Sequence, residues 1–292
     1  MNGLGIGFMR LIAPLPLGVI RALGAVLGWL LYWLAVPRRK VALTNLRLCF
    51  PEWSESEGRR IARMHFVVFA QAWLDRSWLW HGTEAQLRER LKLTGAPDPL
   101  HDSTRATVLF APHFVGLDAG WTALTHQINR HFTTIYTPQR NDAVDAWIRQ
   151  GRERFNGEDS RARLFHRIDG VKTIVAALRQ GDPLYLLPDM NFGEEESLFV
   201  PFFGVSAATV PSLSRFAKLG RAQVIPVLNR MTATGYDIEI LDAWSDFPTG
   251  DLQADTAAMN ARLENFIRSM PHQYYWVHKR FKSRPAGEPS VY

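Results

Sequence analysis

Apolar residues crowd the first forty positions of the chain. Residues 11–20 and 22–36 are apolar, broken only by Arg21, and Arg38-Arg39-Lys40 follow at once. The sixteen residues 22–37 between Arg21 and Arg38 fall short of the ~20 that cross a bilayer comfortably. Two membrane arrangements answer to that length: a span extended by Arg21 reaching out to the headgroups, or a helix lying in one leaflet. A buried hydrophobic hairpin is the reading without a membrane. A cleaved signal peptide does not fit, because a basic cluster stands where small residues should mark the cleavage site. The pattern predicts a retained membrane anchor over residues 1–40 and one domain over 41–292, with the basic cluster placing that domain on the cytoplasmic side.

After the anchor, Ser54-Glu-Ser-Glu57 has the spacing of a capping box and opens a predicted helix running to about Trp80. Phe66, Phe69, Trp73, Trp78 and Trp80 lie around much of that helix, so it is buried on several sides or touches lipid. From residue 106 short apolar runs alternate with helical patterns. Strands are predicted at 106–111, 132–137, 183–187 and 222–228, and helices at 117–129, 141–155, 170–180 and 209–219. Asp169 is placed to cap the 170–180 helix, and Gly181 and Gly220 to end their helices. Residues 236–240 alternate with period two, as a half-exposed strand does. A last helix is predicted over 252–270, with Leu263, Phe266, Ile267 and Met270 on one face. This order is that of an α/β fold: a mainly parallel sheet flanked by helices.

Composition narrows the class. Of 292 residues 47% are hydrophobic, enough for a substantial core, and 10 Trp and 17 Phe also suit membrane interfaces and acyl-chain pockets. A formal charge of +6 favours anionic partners such as phospholipid or phosphorylated glycolipid. Nucleic acid is disfavoured, for there is no recognisable module and no concentrated basic stripe. A lone Cys49 excludes an intrachain disulfide.

The G-x-S-x-G elbow, the Walker A loop, H-E-x-x-H and C-x-x-C are all missing, which removes most support for serine hydrolase, nucleotide hydrolase and zinc peptidase chemistry. What stands out is His113-x4-Asp118, just after the 106–111 strand. On one continuous helix two residues five apart would diverge by ~140°, at ~100° per residue. With His113 in the turn and Asp118 in the first helical turn they can meet, as base and orienter or as a structural pair. No serine or cysteine nucleophile sits nearby, so the attacking hydroxyl would belong to a substrate. Further polar motifs follow the other strands: Tyr136-Thr-Pro138 with Arg140 and Asn141, then Leu187-Pro-Asp189-Met-Asn-Phe-Gly193. They collect where strands end, the edge at which open α/β sheets hold ligands.

Five segments in this order resemble a known family. They are His113-x4-Asp118, Tyr136-Thr-Pro-Gln-Arg-Asn141, Pro188-Asp-Met-Asn-Phe-Gly193, Phe199-Val-Pro-Phe-Phe-Gly204 and Trp276-Val-His-Lys-Arg-Phe-Lys-Ser-Arg-Pro285. Together they are similar to the late, or secondary, acyltransferases of lipid A biosynthesis, the lauroyl/myristoyl acyltransferase family within the H-x4-D/E glycerolipid acyltransferase group. Many members carry Glu at the position of Asp118. The resemblance implies a glycerolipid-acyltransferase-like fold at the cytoplasmic face of the inner membrane. It implies acyl transfer from acyl-acyl carrier protein, the co-substrate, to a hydroxyl of a 3-hydroxyacyl chain on a lipid A precursor. No cofactor or metal is implied. His113 becomes the general base and Asp118 the residue holding its tautomer, while Arg167 and Asp189 organise the site or the oxyanion. Arg140, Asn141, Arg149, Arg152, Arg163, Lys172 and Asn191 are expected to bind substrate or the acidic carrier protein. Phe199, Phe202 and Phe203 are expected either to line an acyl channel or to pack in the core, and Trp276, Lys279, Arg280 and Lys282 either to touch phospholipid headgroups or simply to pack. Two rivals keep less: the same chemistry on a lysophospholipid, glycolipid or ornithine lipid, and a non-catalytic membrane lipid-binding protein.

Overall fold

The computed structural model describes residues 3–155 and 162–292, apart from the side chain of Arg167. The N-terminal apolar stretch forms α1 (Gly3–Ile12) and α2 (Leu17–Leu34), separated by Pro14 and Pro16, which cannot continue a helix. Ile20, Gly24, Gly28 and Tyr32, four residues apart, form the buried face of α2. That face packs on α4 (Glu55–His81). The approach is backbone to backbone: a Cβ on Gly28 would stand 2.5 Å from the Phe66 carbonyl oxygen and from the Val67 Cα. The opposite face exposes Val19, Leu23, Val26, Trp29, Leu30 and Trp33.

Arg21 does not extend toward headgroups. It pairs at 2.9 Å with Asp75 of α4, whose side chain is fully buried, and donates to the carbonyls of Thr232 and Gly235. Asp75 also accepts from Trp78 Nε1 and the Tyr236 hydroxyl. The charge that interrupts the apolar run is thus a bolt between α2 and the domain.

The basic flank continues into a further helix, α3 (Val36–Cys49), with a proline in its first turn. In α4, Ser54 accepts from the Glu57 N–H as expected. Phe66, Trp78 and Trp80 are buried there, while Phe69 and Trp73 face a cavity. Then come α5 (Glu84–Arg90), β1 (Leu91–Gly95), β2 (Thr107–Phe110), α6 (Leu117–Gln127), β3 (Phe132–Tyr136), α7 (Asp142–Arg152), β4 (Ala162–His166), α8 (Val171–Arg179) and β5 (Leu184–Leu186). A hairpin, β6 (Leu198–Phe202) with β7 (Val205–Thr209), precedes α9 (Ser212–Gly220), β8 (Gln223–Thr232), β9 (Gly235–Ile240) and α10 (Leu252–Ser269).

Among the described residues the main sheet has seven strands in the order β1-β9-β8-β2-β5-β3-β4. Every pairing is parallel except β8 with β9. Alternation sorts the strand residues onto two faces. Val108 and Phe110 join a core with residues of α8, α9 and α10, while Leu109 and Ala111 join another with residues of α4 and α6. The expected α/β sheet is therefore observed, covered on both faces. The predicted strands at 106–111, 132–137, 183–187, 222–228 and 236–240 appear within a few residues. β1, β4 and the hairpin were not anticipated, and the hairpin takes the start of the helix predicted from residue 209. Asp169 does not cap α8: its carboxylate accepts from the His166 N–H, and Gly170, at φ +81°, precedes the helix. Gly181, at φ +100°, does end it, where a Cβ would meet the Ser103 carbonyl oxygen at 2.1 Å.

Candidate active site

β2, β5 and β3 are adjacent and parallel, so their C-terminal ends share one edge. His113 lies three residues past β2, Asp189 three past β5, and Tyr136 ends β3. A cavity of about 960 Å³ opens there, at the upper end of the range for ligand pockets. Its walls come from both sheet faces: Phe69, Trp73, Trp121, Trp147 and Ile148 on one, Val171, Ile174, Val210 and Phe216 on the other.

The partner of His113 is Asp189, not Asp118. Asp189 Oδ1 stands 2.7 Å from His113 Nδ1, and its Oδ2 accepts the His113 backbone N–H at 3.0 Å. Asp189 is fully buried, which by itself would raise its pKa, but the contacts with His113 outweigh burial and hold the carboxyl below its ordinary range. An ionised carboxylate only accepts, so His113 carries its proton on Nδ1 and presents the Nε2 lone pair. The ring is one-fifth exposed, lines the cavity, and stacks near Tyr275.

Asp118 belongs to a second cluster. It sits in the first turn of α6, whose start is drawn tight against β8: a Cβ on Gly120 would lie 1.9 Å from Asn229 Oδ1. That packing turns Asp118 toward α4 and α7. Arg76 donates to its Oδ2 at 2.7 Å, and Arg152 to its Oδ1 at 2.9 Å. Burial would raise Asp118, yet Arg152 and Arg76 pull it down to about 2. Arg76 also lies over the rings of Trp73 and Trp80, and Arg152 over Tyr136. Two fixed guanidiniums and one carboxylate leave a net positive charge beside the aromatic residues Trp73, Trp121 and Trp147 of the cavity wall.

Of the other expected site residues, Arg152 lines the cavity; Arg140, Asn141, Arg149, Arg163 and Lys172 do not. Asn141 caps α7, accepting from the Val144 N–H. Arg149 reaches Glu153 at 3.9 Å, and Arg163 lies over the Phe165 ring. Arg140 and Lys172 are exposed. The Arg167 side chain lies outside the described residues. Phe199, Phe202 and Phe203 fall away from the cavity: the hairpin that carries them packs against α10, with Phe202 and Phe203 in the core. Trp276 and Arg280 are buried rather than at a lipid surface. Arg280 donates to the Ala208 carbonyl and the Thr209 hydroxyl, while Lys279 and Lys282 are exposed.

Asn191 is buried beside the site, and its backbone N–H meets Nε2 of His278, a cavity residue singled out by no spacing argument. Arg76 also escaped notice. Its signal was there: Phe69, Trp73, Arg76 and Trp80 form a helical stripe in which one charge interrupts aromatic residues.

Residues 2–283 match the family profile described as bacterial lipid A biosynthesis acyltransferase. A lipid A biosynthesis acyltransferase of Haemophilus influenzae is 33% identical over 98% of this chain and 88% of its own length. The lipid A biosynthesis lauroyltransferase of Escherichia coli is 31% identical over 100% and 94%. The myristoyltransferase of the same pathway and organism is 30% identical over 99% and 89%.

Proposed function

The chain belongs to the bacterial lipid A biosynthesis acyltransferases, and from that membership and the His113–Asp189 geometry we propose which acyl transfer it performs and how. The donor is an acyl thioester of acyl carrier protein. The acceptor is the hydroxyl of a 3-hydroxyacyl chain on a lipid A precursor. His113 Nε2 takes the hydroxyl proton as the oxygen attacks the thioester carbonyl carbon. The tetrahedral oxyanion collapses, the C–S bond breaks, and the proton passes from His113 to the departing thiolate. Asp189 keeps the proton on Nδ1 and stabilises the imidazolium between those steps. Arg76 and Arg152, aimed by Asp118, give the cavity its attraction for a substrate phosphate. The apolar outer face of α2 lies in the membrane, with the domain at the cytoplasmic face of the inner membrane, in keeping with Arg38-Arg39-Lys40 at its end.

The observation that carries this reading is the 2.7 Å contact between Nδ1 of His113, which lines a large, mostly apolar cavity, and the buried Asp189. Its test is acyl transfer by the full-length protein in detergent micelles, with mass spectrometry of the lipid product. Wild type adds one acyl group, and His113→Ala, folded and micelle-bound, loses at least ~10³-fold in rate. Turnover by His113→Ala at the wild-type rate would overturn it.

A further inference from the structure

The segment that orients His113 orients a second imidazole two residues later, and in the opposite sense. Asp189 receives the Nδ1 proton of His113. The Asn191 backbone N–H donates to Nε2 of His278 at 3.2 Å. A ring nitrogen that accepts an N–H carries no proton in the neutral ring, so the proton of His278 sits on Nδ1. That N–H has no partner among the described residues, and His278 is part of the cavity wall. The backbone beneath it is pinned, since Asn45 Nδ2 donates to the His278 carbonyl at 2.7 Å.

We propose that His278 is a further catalytic residue of the acyl transfer, its Nδ1–H donating to the thioester carbonyl oxygen as that oxygen becomes the tetrahedral oxyanion. This rests on the reaction proposed above. No bond is made or broken at His278. The imidazole stays neutral, the donated hydrogen bond strengthens as charge builds on the oxygen, and it relaxes when the C–S bond breaks and the carbonyl re-forms. Burial, together with His113 and Arg280 nearby, pushes the His278 pKa down to about 4. A neutral donor suits this role, because an imidazolium would surrender its proton, whereas a neutral imidazole polarises a carbonyl and keeps it. His113 and His278, each hydrogen-bonded to the segment that follows β5, thus line the same cavity.

Two substitutions separate this from a packing role. Asn offers an amide N–H where Nδ1 stands but leaves the Asn191 N–H without its acceptor; Gln offers an acceptor where Nε2 stands but no donor at Nδ1. The assay uses full-length enzyme in detergent micelles with lauroyl-acyl carrier protein and lipid A precursor. His278→Gln should lose about 100-fold or more in kcat with KM within about threefold. His278→Asn should stay within about tenfold of wild type while melting at a lower temperature. Wild-type kcat in His278→Gln, or an equal loss in His278→Asn, overturns the proposal. A wild type that fails to acylate the lipid precursor overturns the reaction assigned above instead.

Discussion

Asp118 and Asp189 are both buried carboxylates, and their neighbours give them different work. Asp189 meets an imidazole, Asp118 two guanidiniums. Asparagine at 189 can present its amide N–H to His113 Nδ1, which moves the ring proton to Nε2 and blocks the base. Asp189→Asn should therefore lose on the order of 10⁴ in kcat with little change in melting temperature, measured on one preparation. Asp118→Asn removes the charge that holds Arg76 and Arg152. A buried pair that loses one partner costs about 3–5 kcal/mol, so this variant should melt earlier and show a raised KM for the phosphorylated acceptor. An unchanged KM would disconnect the arginine pair from substrate binding. His113 and the sheet edge that holds it were legible in the sequence, because a polar motif after an apolar strand has a known place. The pairing was not: a four-residue interval is visible along the chain, whereas a separation of 76 positions from His113 to Asp189 is closed only by the β2–β5 contact.

At the level of elements, the best-read segments were those with strong internal periodicity, the long α4 and the buried strands. β1 and β4 escaped because they are the outermost strands, and their mixed burial breaks alternation. For the phenylalanines of the β6–β7 hairpin the sequence leaves an acyl channel and a core equally open, because such rings look alike whether they face a core or a ligand. In α2 the apolar character is legible in the sequence, but the helix runs through Arg21 rather than starting after it, and the role of Arg21 is hidden because its partner lies 54 residues away. Arg21→Met should strand Asp75 in the interior at a cost of about 3 kcal/mol or more, lowering the melting temperature by several degrees in micelles. A melting point equal to wild type would mean that Trp78 and Tyr236 suffice to hold the carboxylate.

For the molecule as a whole, pH acts through buried histidines. Burial pushes His65 down to about 4, and His278 falls to the same value. Both are neutral in the folded protein while the unfolded chain takes up protons below about 6.5. Folding stability is thus full above that pH and declines toward pH 4, by about 1.4 kcal/mol per pH unit for each such group. Thermal melts between pH 8 and 4.5 should show the midpoint falling only below about 6.5, and a flat profile would contradict these buried neutral rings. The membrane face is testable on the same scale. Trp29 and Trp33 stand exposed on the outside of α2, so brominated phospholipid vesicles should quench the wild type more strongly than a Trp29→Tyr, Trp33→Tyr variant.

The bolt between Arg21 and Asp75 bears on how this enzyme can be handled. Cutting the chain before Val36 to make a soluble protein would take away the only arginine paired with Asp75 among the described residues, and uncover the groove on α4 where Gly24 and Gly28 lie. What remained would carry an unmatched interior charge and a fresh apolar trench. Recolouring α2 is the sounder route to solubility: polar residues at Val19, Leu23, Val26 and Leu30, with the inner face and Arg21 left as they are.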